Sequence, residues 1–242
     1  MWSCSPWAFL PLTYSVCTAA GLWLVYLLAV ESKSIAPLGL RQWKKNESLY
    51  PPYISNAGDS PPASCIFSLV MNLAAFTGFI IGVLRYLQLK HRLNTPWLNM
   101  CSVLAFSGSC VGMTLVGNFQ NSHFGHVLDV GMGLLFCWIQ SFLSLKAKVM
   151  NEGKKVGILR FFLSGSITFC MILTFFLMSQ GIYIHAARCQ WALAMFFLVF
   201  LGTFTVEFGH YRFLLECTEN PGNPVRLQEN LPEVTVTEPN QM

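Results

Sequence analysis

Apolar residues in this chain come in long unbroken runs, without the alternation of a half-buried strand or the three-and-four spacing of an amphipathic helix. Six runs approach or reach the roughly 20 residues that a helix needs to cross the hydrocarbon core of a bilayer. They cover 7–30, 63–84, 97–117, 127–145, 161–184 and 191–208. The pattern predicts an all-α membrane protein, a six-transmembrane helix bundle over residues 1–216. The first run is not preceded by the basic stretch of a cleaved leader, so it is predicted to remain as the first span. No internal repeat of solenoid length is visible.

The connecting segments differ in character. The first, Glu31 to Pro62, carries Pro51, Pro52, Pro61 and Pro62 and the turn-prone Asn56-Ala57-Gly58-Asp59. Proline pairs hold their neighbours extended. This proline-rich external first loop is predicted to form a compact irregular cap with a short strand near Tyr53-Ile54-Ser55. Residues 217–242 are polar and proline-bearing and cannot bury enough apolar surface to fold, so a disordered cytoplasmic tail is predicted. Lys and Arg are retained on the cytoplasmic face. With six spans, one side holds ten of them (Arg85, Lys90, Arg92, Lys146, Lys148, Lys154, Lys155, Arg160, Arg212, Arg226) and the other five (Lys33, Arg41, Lys44, Lys45, Arg188). Both termini are therefore expected in the cytoplasm. The lone glycosylation sequon, Asn46-Glu47-Ser48, falls in the first loop, on the predicted outer side.

Composition narrows the classes. Only 11% of residues are charged and 54% are hydrophobic, with mean hydropathy +0.50, too apolar for a water-exposed surface. The net charge of +4 is spread over loops, which gives nucleic-acid binding little support. Membrane lipids or a second copy of the chain are the expected partners. GxSxG, HExxH, P-loop and GxGxxG signatures are absent, so no enzyme, cofactor or metal centre is expected. The nine cysteines form no CxxC pair. Most lie in apolar runs and read as small buried hydrophobes.

Polar residues inside spans are costly in lipid and should face the bundle interior. Asn72, Asp129, Gln140 and Glu207 are the candidates, either as structural hydrogen-bonders or as the lining of a conduction path; Glu207 also lies near His210 and Arg212, which suggests an interfacial ion pair. Gly78 with Gly82, and Gly108 with Gly112, place small residues on one helix face for close packing within the bundle or between copies. His123, His126, Asp129 and His185 gather near the outer side, where a zinc site for lipid hydrolysis would need three or more of them to converge. Cys65 and Cys189 stand at the outer ends of their spans, where a disulfide persists if the two approach closely. Trp7, Trp23, Trp97, Trp138 and Trp191 mostly sit near span edges, as interfacial anchors do.

The segment Pro51 to Phe76 carries the pattern PYIS-x-x-G-x-x-PP-x-SC-x-F at Pro52 to Ser55, Gly58, Pro61, Pro62, Ser64, Cys65 and Phe67. With VGNFQ (Val116 to Gln120), His126 to Gly131, CQW (Cys189 to Trp191) and LGTFTVEF (Leu201 to Phe208), it resembles the damage-regulated autophagy modulator family, also called the DRAM, Frag and Sfk group. The opening span and the block Asn151 to Arg160 are most similar to its transmembrane-protein-150 branch. The resemblance implies six spans. It also implies a component or modulator of slowly adapting, mechanically activated cation currents at the plasma membrane. Other branches imply autophagy at lysosomal or endosomal membranes, or recruitment of a phosphoinositide kinase.

Overall fold

The computed structural model describes residues 6–40, 49–90, 95–119, 122–146 and 150–209. Its elements are α1 (Phe9–Glu31), α2 (Ile54–Ala57), α3 (Ala63–Lys90), α4 (Pro96–Asn118), α5 (His123–Lys146), α6 (Met150–Ser179), α7 (Tyr183–Gly202) and α8 (Phe204–Phe208). Six of these stretches, with α7 and α8 counted together, are long and apolar enough to cross a membrane. Each long helix packs on its sequence neighbour, and α7 closes back onto α1, so the helices form a ring in the order α1, α3, α4, α5, α6, α7. Short connections force such up-and-down neighbours.

Phe162, Phe169, Phe175 and Phe176 on α6 and Leu69, Leu73 and Phe76 on α3 are exposed. Large apolar surface pointing away from a packed core is what a lipid-facing helix presents. Buried aromatics fill the interior, with Phe106 stacked on Phe136 at 4.2 Å between centroids, and Phe200 and Phe204 edge-on to Phe136.

Both GxxxG pairs face inward. A Cβ on Gly82 would come within 2.6 Å of the Phe106 ring. One on Gly112 would lie 2.7 Å from the Cα of Asp129, and one on Gly108 3.0 Å from Met132. The small residues thus set the α3–α4 and α4–α5 approaches.

The described parts of the loop between α1 and α3, 32–40 and 49–62, form a cap over one end of the ring, hereafter the cap end. A parallel bridge joins Ile35 and Tyr50. The strand expected at Tyr53–Ser55 is instead one turn of helix, α2: Tyr53 is the extended N-cap, and the Asn56 amide returns to the Pro51 carbonyl at 2.9 Å. The cap is fastened to α7. Arg188 donates to the carbonyls of Leu38 and Leu40, Trp191 donates to the Pro52 carbonyl, and the Ile54 amide donates to Gln190. Trp191 is therefore buried in a cluster with Trp23 and Tyr26, not a lipid anchor.

The fifth and sixth runs divide differently from expectation. α6 ends at Ser179, and a turn through Gly181, whose φ of +72° suits a residue without Cβ, starts α7 at Tyr183. The sixth run is interrupted at Thr203, between α7 and α8. Asn46 and the tail 217–242 lie outside the described residues.

Candidate functional site

Two interior features lie along the ring axis. Near the cap end is a chamber of about 140 Å³. All six long helices and α2 contribute to its wall, including Tyr14, Phe67, Asp129, Ala194 and Phe197. At the opposite end is a knot of buried charge.

The knot begins with Glu207 of α8. Its carboxylate pairs with Arg85 of α3 and, at 2.9 Å, with Arg160 of α6. Both guanidiniums flank one ring, lying 5.1 Å and 4.2 Å from the centroid of Phe204. Arg85 donates to Gln140 at 3.0 Å and to Gln88 at 2.7 Å. Arg160 donates to Ser144 and to the Thr203 hydroxyl. Gln140 passes the network on to Ser102 of α4 at 2.8 Å. The two arginines are 2% and 0% exposed, so their charge depends on these partners. Five elements, α3, α4, α5, α6 and α8, with the Thr203 junction, are tied together here.

Asp129 occupies the same face of α5 as Gln140, eleven residues or about 16 Å along the axis. Its carboxylate accepts from Ser109 of α4 at 2.9 Å. Among the described residues no lysine or arginine pairs with it. Asn72 belongs to a separate cluster near the cap end, exchanging hydrogen bonds with Asn118 of α4 at 3.2 Å and donating to the Ser68 carbonyl.

Of the sequence candidates, Gln140 and Glu207 are brought into one network, Asp129 faces the chamber, and Asn72 bridges α3 to α4. Glu207's described partners are Arg85 and Arg160; His210 and Arg212 lie outside the described residues. Sequence reading counted Arg85 and Arg160 as loop charges, because hydropathy trims a span at its first charge. Their signal was Gln88 one turn beyond Arg85 and the oppositely charged Glu207 at the same depth. Cys65 and Cys189 carry free thiols rather than a bridge. Cys65 is on the exposed face of α3, whereas Cys189 neighbours Cys170 of α6. Among the described residues, no three of His123, His126, Asp129 and His185 converge as metal ligands.

The comparisons agree with this architecture. The family model described as the Frag1/DRAM/Sfk1/Cwh43P N-terminal domain matches residues 6–211. The chain is 30% identical to the zebrafish (Danio rerio) protein named modulator of macroautophagy TMEM150B, over 96% of this chain and 97% of that one. It is 32% identical to human transmembrane protein 150A over 84% of each, and 31% identical to modulator of macroautophagy TMEM150B-A of Xenopus laevis over 87% and 88%. No solved structure matches it. The chain belongs to the Frag1/DRAM/Sfk1 family of multi-pass membrane proteins.

Proposed function

We propose that this chain is a non-catalytic component or modulator of a mechanically activated, slowly adapting cation channel, and that it acts as modulator rather than pore. The observation behind the second half is the ionic knot. A cation leaving the cap-end chamber along the axis meets the Phe106, Phe136, Phe200 and Phe204 layer and then two guanidiniums against one carboxylate. Selective cation paths are lined by acidic rings or carbonyls, and this end carries the opposite sign. The mechanical half rests on the likeness of the opening span and of Asn151 to Arg160 to the transmembrane-protein-150 branch. Partners on this reading are membrane lipids and other channel subunits or a second copy.

Its place on this reading is the plasma membrane, with the cap outside and both termini cytoplasmic. Setting Arg85 and Arg160 inside the bundle leaves eight basic residues on the tail side against five on the cap side, so the bias supports the same orientation.

Patch recording of the purified chain in liposomes under graded tension tests the proposal. A modulator is silent alone and alters inactivation when expressed beside a tension-gated channel. Autonomous cation current whose selectivity shifts with Asp129→Asn would instead make the chain the pore.

A second reading, a regulator of macroautophagy at lysosomal or endosomal membranes, is favoured by the names of the zebrafish and Xenopus relatives. Depleting the chain would then change autophagic flux while leaving tension-evoked currents intact.

A further inference from the structure

The chamber lies beside a second cavity on the lipid-facing surface. Its wall is largely apolar, with Leu22, Phe67, Met71, Val130 and Phe197 around a single acid, Asp129, and the imidazole of His126 one turn before it. An ionisable group at this depth is costly unless a counter-charge meets it, and Ser109 supplies only a neutral hydrogen bond. Tyr14 and Phe197 add aromatic rings to the wall, a residue type whose face attracts a cation by its quadrupole. A volume of about 140 Å³ is close to that of the engineered apolar cavity of about 150 Å³ that accepts benzene. It therefore suits an ammonium group with a few carbons and excludes a bulky headgroup.

A second feature extends it. A groove of about 280 Å³ runs along the α1–α3 seam. Tyr14 and Thr18 belong to the walls of both the groove and the chamber. Thr13, Cys17 and Leu73 on the groove's rim are exposed on the lipid-facing surface. The groove gives an apolar chain a place to lie beside the chamber, with Tyr14 and Thr18 lining both.

We propose that the chain binds a cationic amphiphile, its ammonium group at Asp129 in the chamber and its hydrocarbon tail in the α1–α3 groove. Such an ion comes either from a membrane lipid with an ammonium-bearing headgroup or from a free lipophilic amine. This site is independent of the ionic knot on which the channel-modulator reading rests.

The probes are radiolabelled dodecylamine and dodecanol, which share one tail and differ in charge. They are titrated against the purified full chain in maltoside micelles free of ammonium lipids. Saturable dodecylamine binding, about tenfold tighter than dodecanol, is expected. Asp129→Asn should remove that preference and leave dodecanol unchanged, which also reports an intact chamber. Ala194→Phe, which fills the chamber and keeps the acid, should weaken both probes. In the next arm, displacement by phosphatidylethanolamine at equal hydrocarbon content identifies a lipid headgroup as the source. Displacement by soluble phenethylamine but not by the lipid identifies a free amine. An amine preference below about threefold in the wild type overturns the proposal whether or not the variants fold. So does full dodecylamine affinity in Asp129→Asn.

Discussion

Replacing Glu207 by Gln removes one charge and almost no volume. It leaves Arg85 and Arg160, buried at 2% and 0% exposure, both beside Phe204 with no carboxylate to share. Breaking a buried pair in this way costs about 3–5 kcal/mol. At roughly 2–4 °C per kcal/mol for a chain of this size, the unfolding midpoint should fall by roughly 6–20 °C. The informative step is the second substitution. Arg160→Met alone removes a partner of Glu207 and destabilises. Added to Glu207→Gln it takes away one of two uncompensated guanidiniums and puts an apolar chain in its place, so it should recover about 1–2 kcal/mol. The same change thus has opposite signs in the two backgrounds. Thermal unfolding of the detergent-purified protein reads this through a thiol-reactive dye, because Cys110, Cys137 and Cys170 are buried and react only on opening. Exposed Cys17, Cys65 and Cys101 give a constant baseline. A double variant less stable than Glu207→Gln would refute the charge argument, as would a Glu207→Gln midpoint within about 2 °C of wild type.

Gly112→Ala places a methyl against the backbone of Asp129 and should cost about 1–3 kcal/mol by overpacking, whereas Gly131→Ala, which meets nothing, should be as stable as wild type or more so in the same dye assay. Arg188→Met should free the 38–40 stretch of the cap from α7 while the Trp191 and Gln190 contacts remain, seen as faster proteolysis within residues 32–62 while the spans stay intact. Burial pushes the Tyr53 phenol up to about 12, and among the described residues its hydroxyl has no hydrogen-bond partner. The folded state therefore keeps it neutral while the unfolded chain ionises, so cap stability falls as pH rises from about 10 toward 12. Tyr53→Phe should flatten that decline and leave stability at neutral pH equal or higher, measured by the same proteolysis across pH.

The six membrane-crossing helices were legible because lipid demands one unmistakable pattern, an uncharged run of sufficient length. What that pattern hides is a charge meant to be inside. Arg85 and Arg160 sit on helices that continue past them, α3 to Lys90 and α6 back to Met150. A hydropathy criterion closes a span at the first cation, so these two were assigned to loops. Glu207 was recognised as an interior group, but its described partners are 122 and 47 positions away, which no local spacing reveals. The direction of the glycine faces was equally invisible: Gly112 as a contact of Asp129 exists only once α4 and α5 are paired. In the cap, the proline pairs suggested extension through Tyr53–Ser55. The return of Asn56 onto Pro51 tightened the segment into a helical turn instead.

The fastening of the cap to α7 has a consequence for how the protein is made. The guanidinium that satisfies Leu38 and Leu40 comes 150 and 148 positions later. At roughly 5–20 residues per second, a ribosome needs on the order of 8–30 s to deliver it. During that interval the first loop has left the ribosome with its carbonyls, the Pro52 oxygen and the Trp23 and Tyr26 faces unsealed. Assembly of this end therefore waits for the last span. A nascent chain that stalls before Arg188 presents an open, sticky cap to the quality-control apparatus of its compartment, and truncations that keep five spans should be cleared rather than displayed.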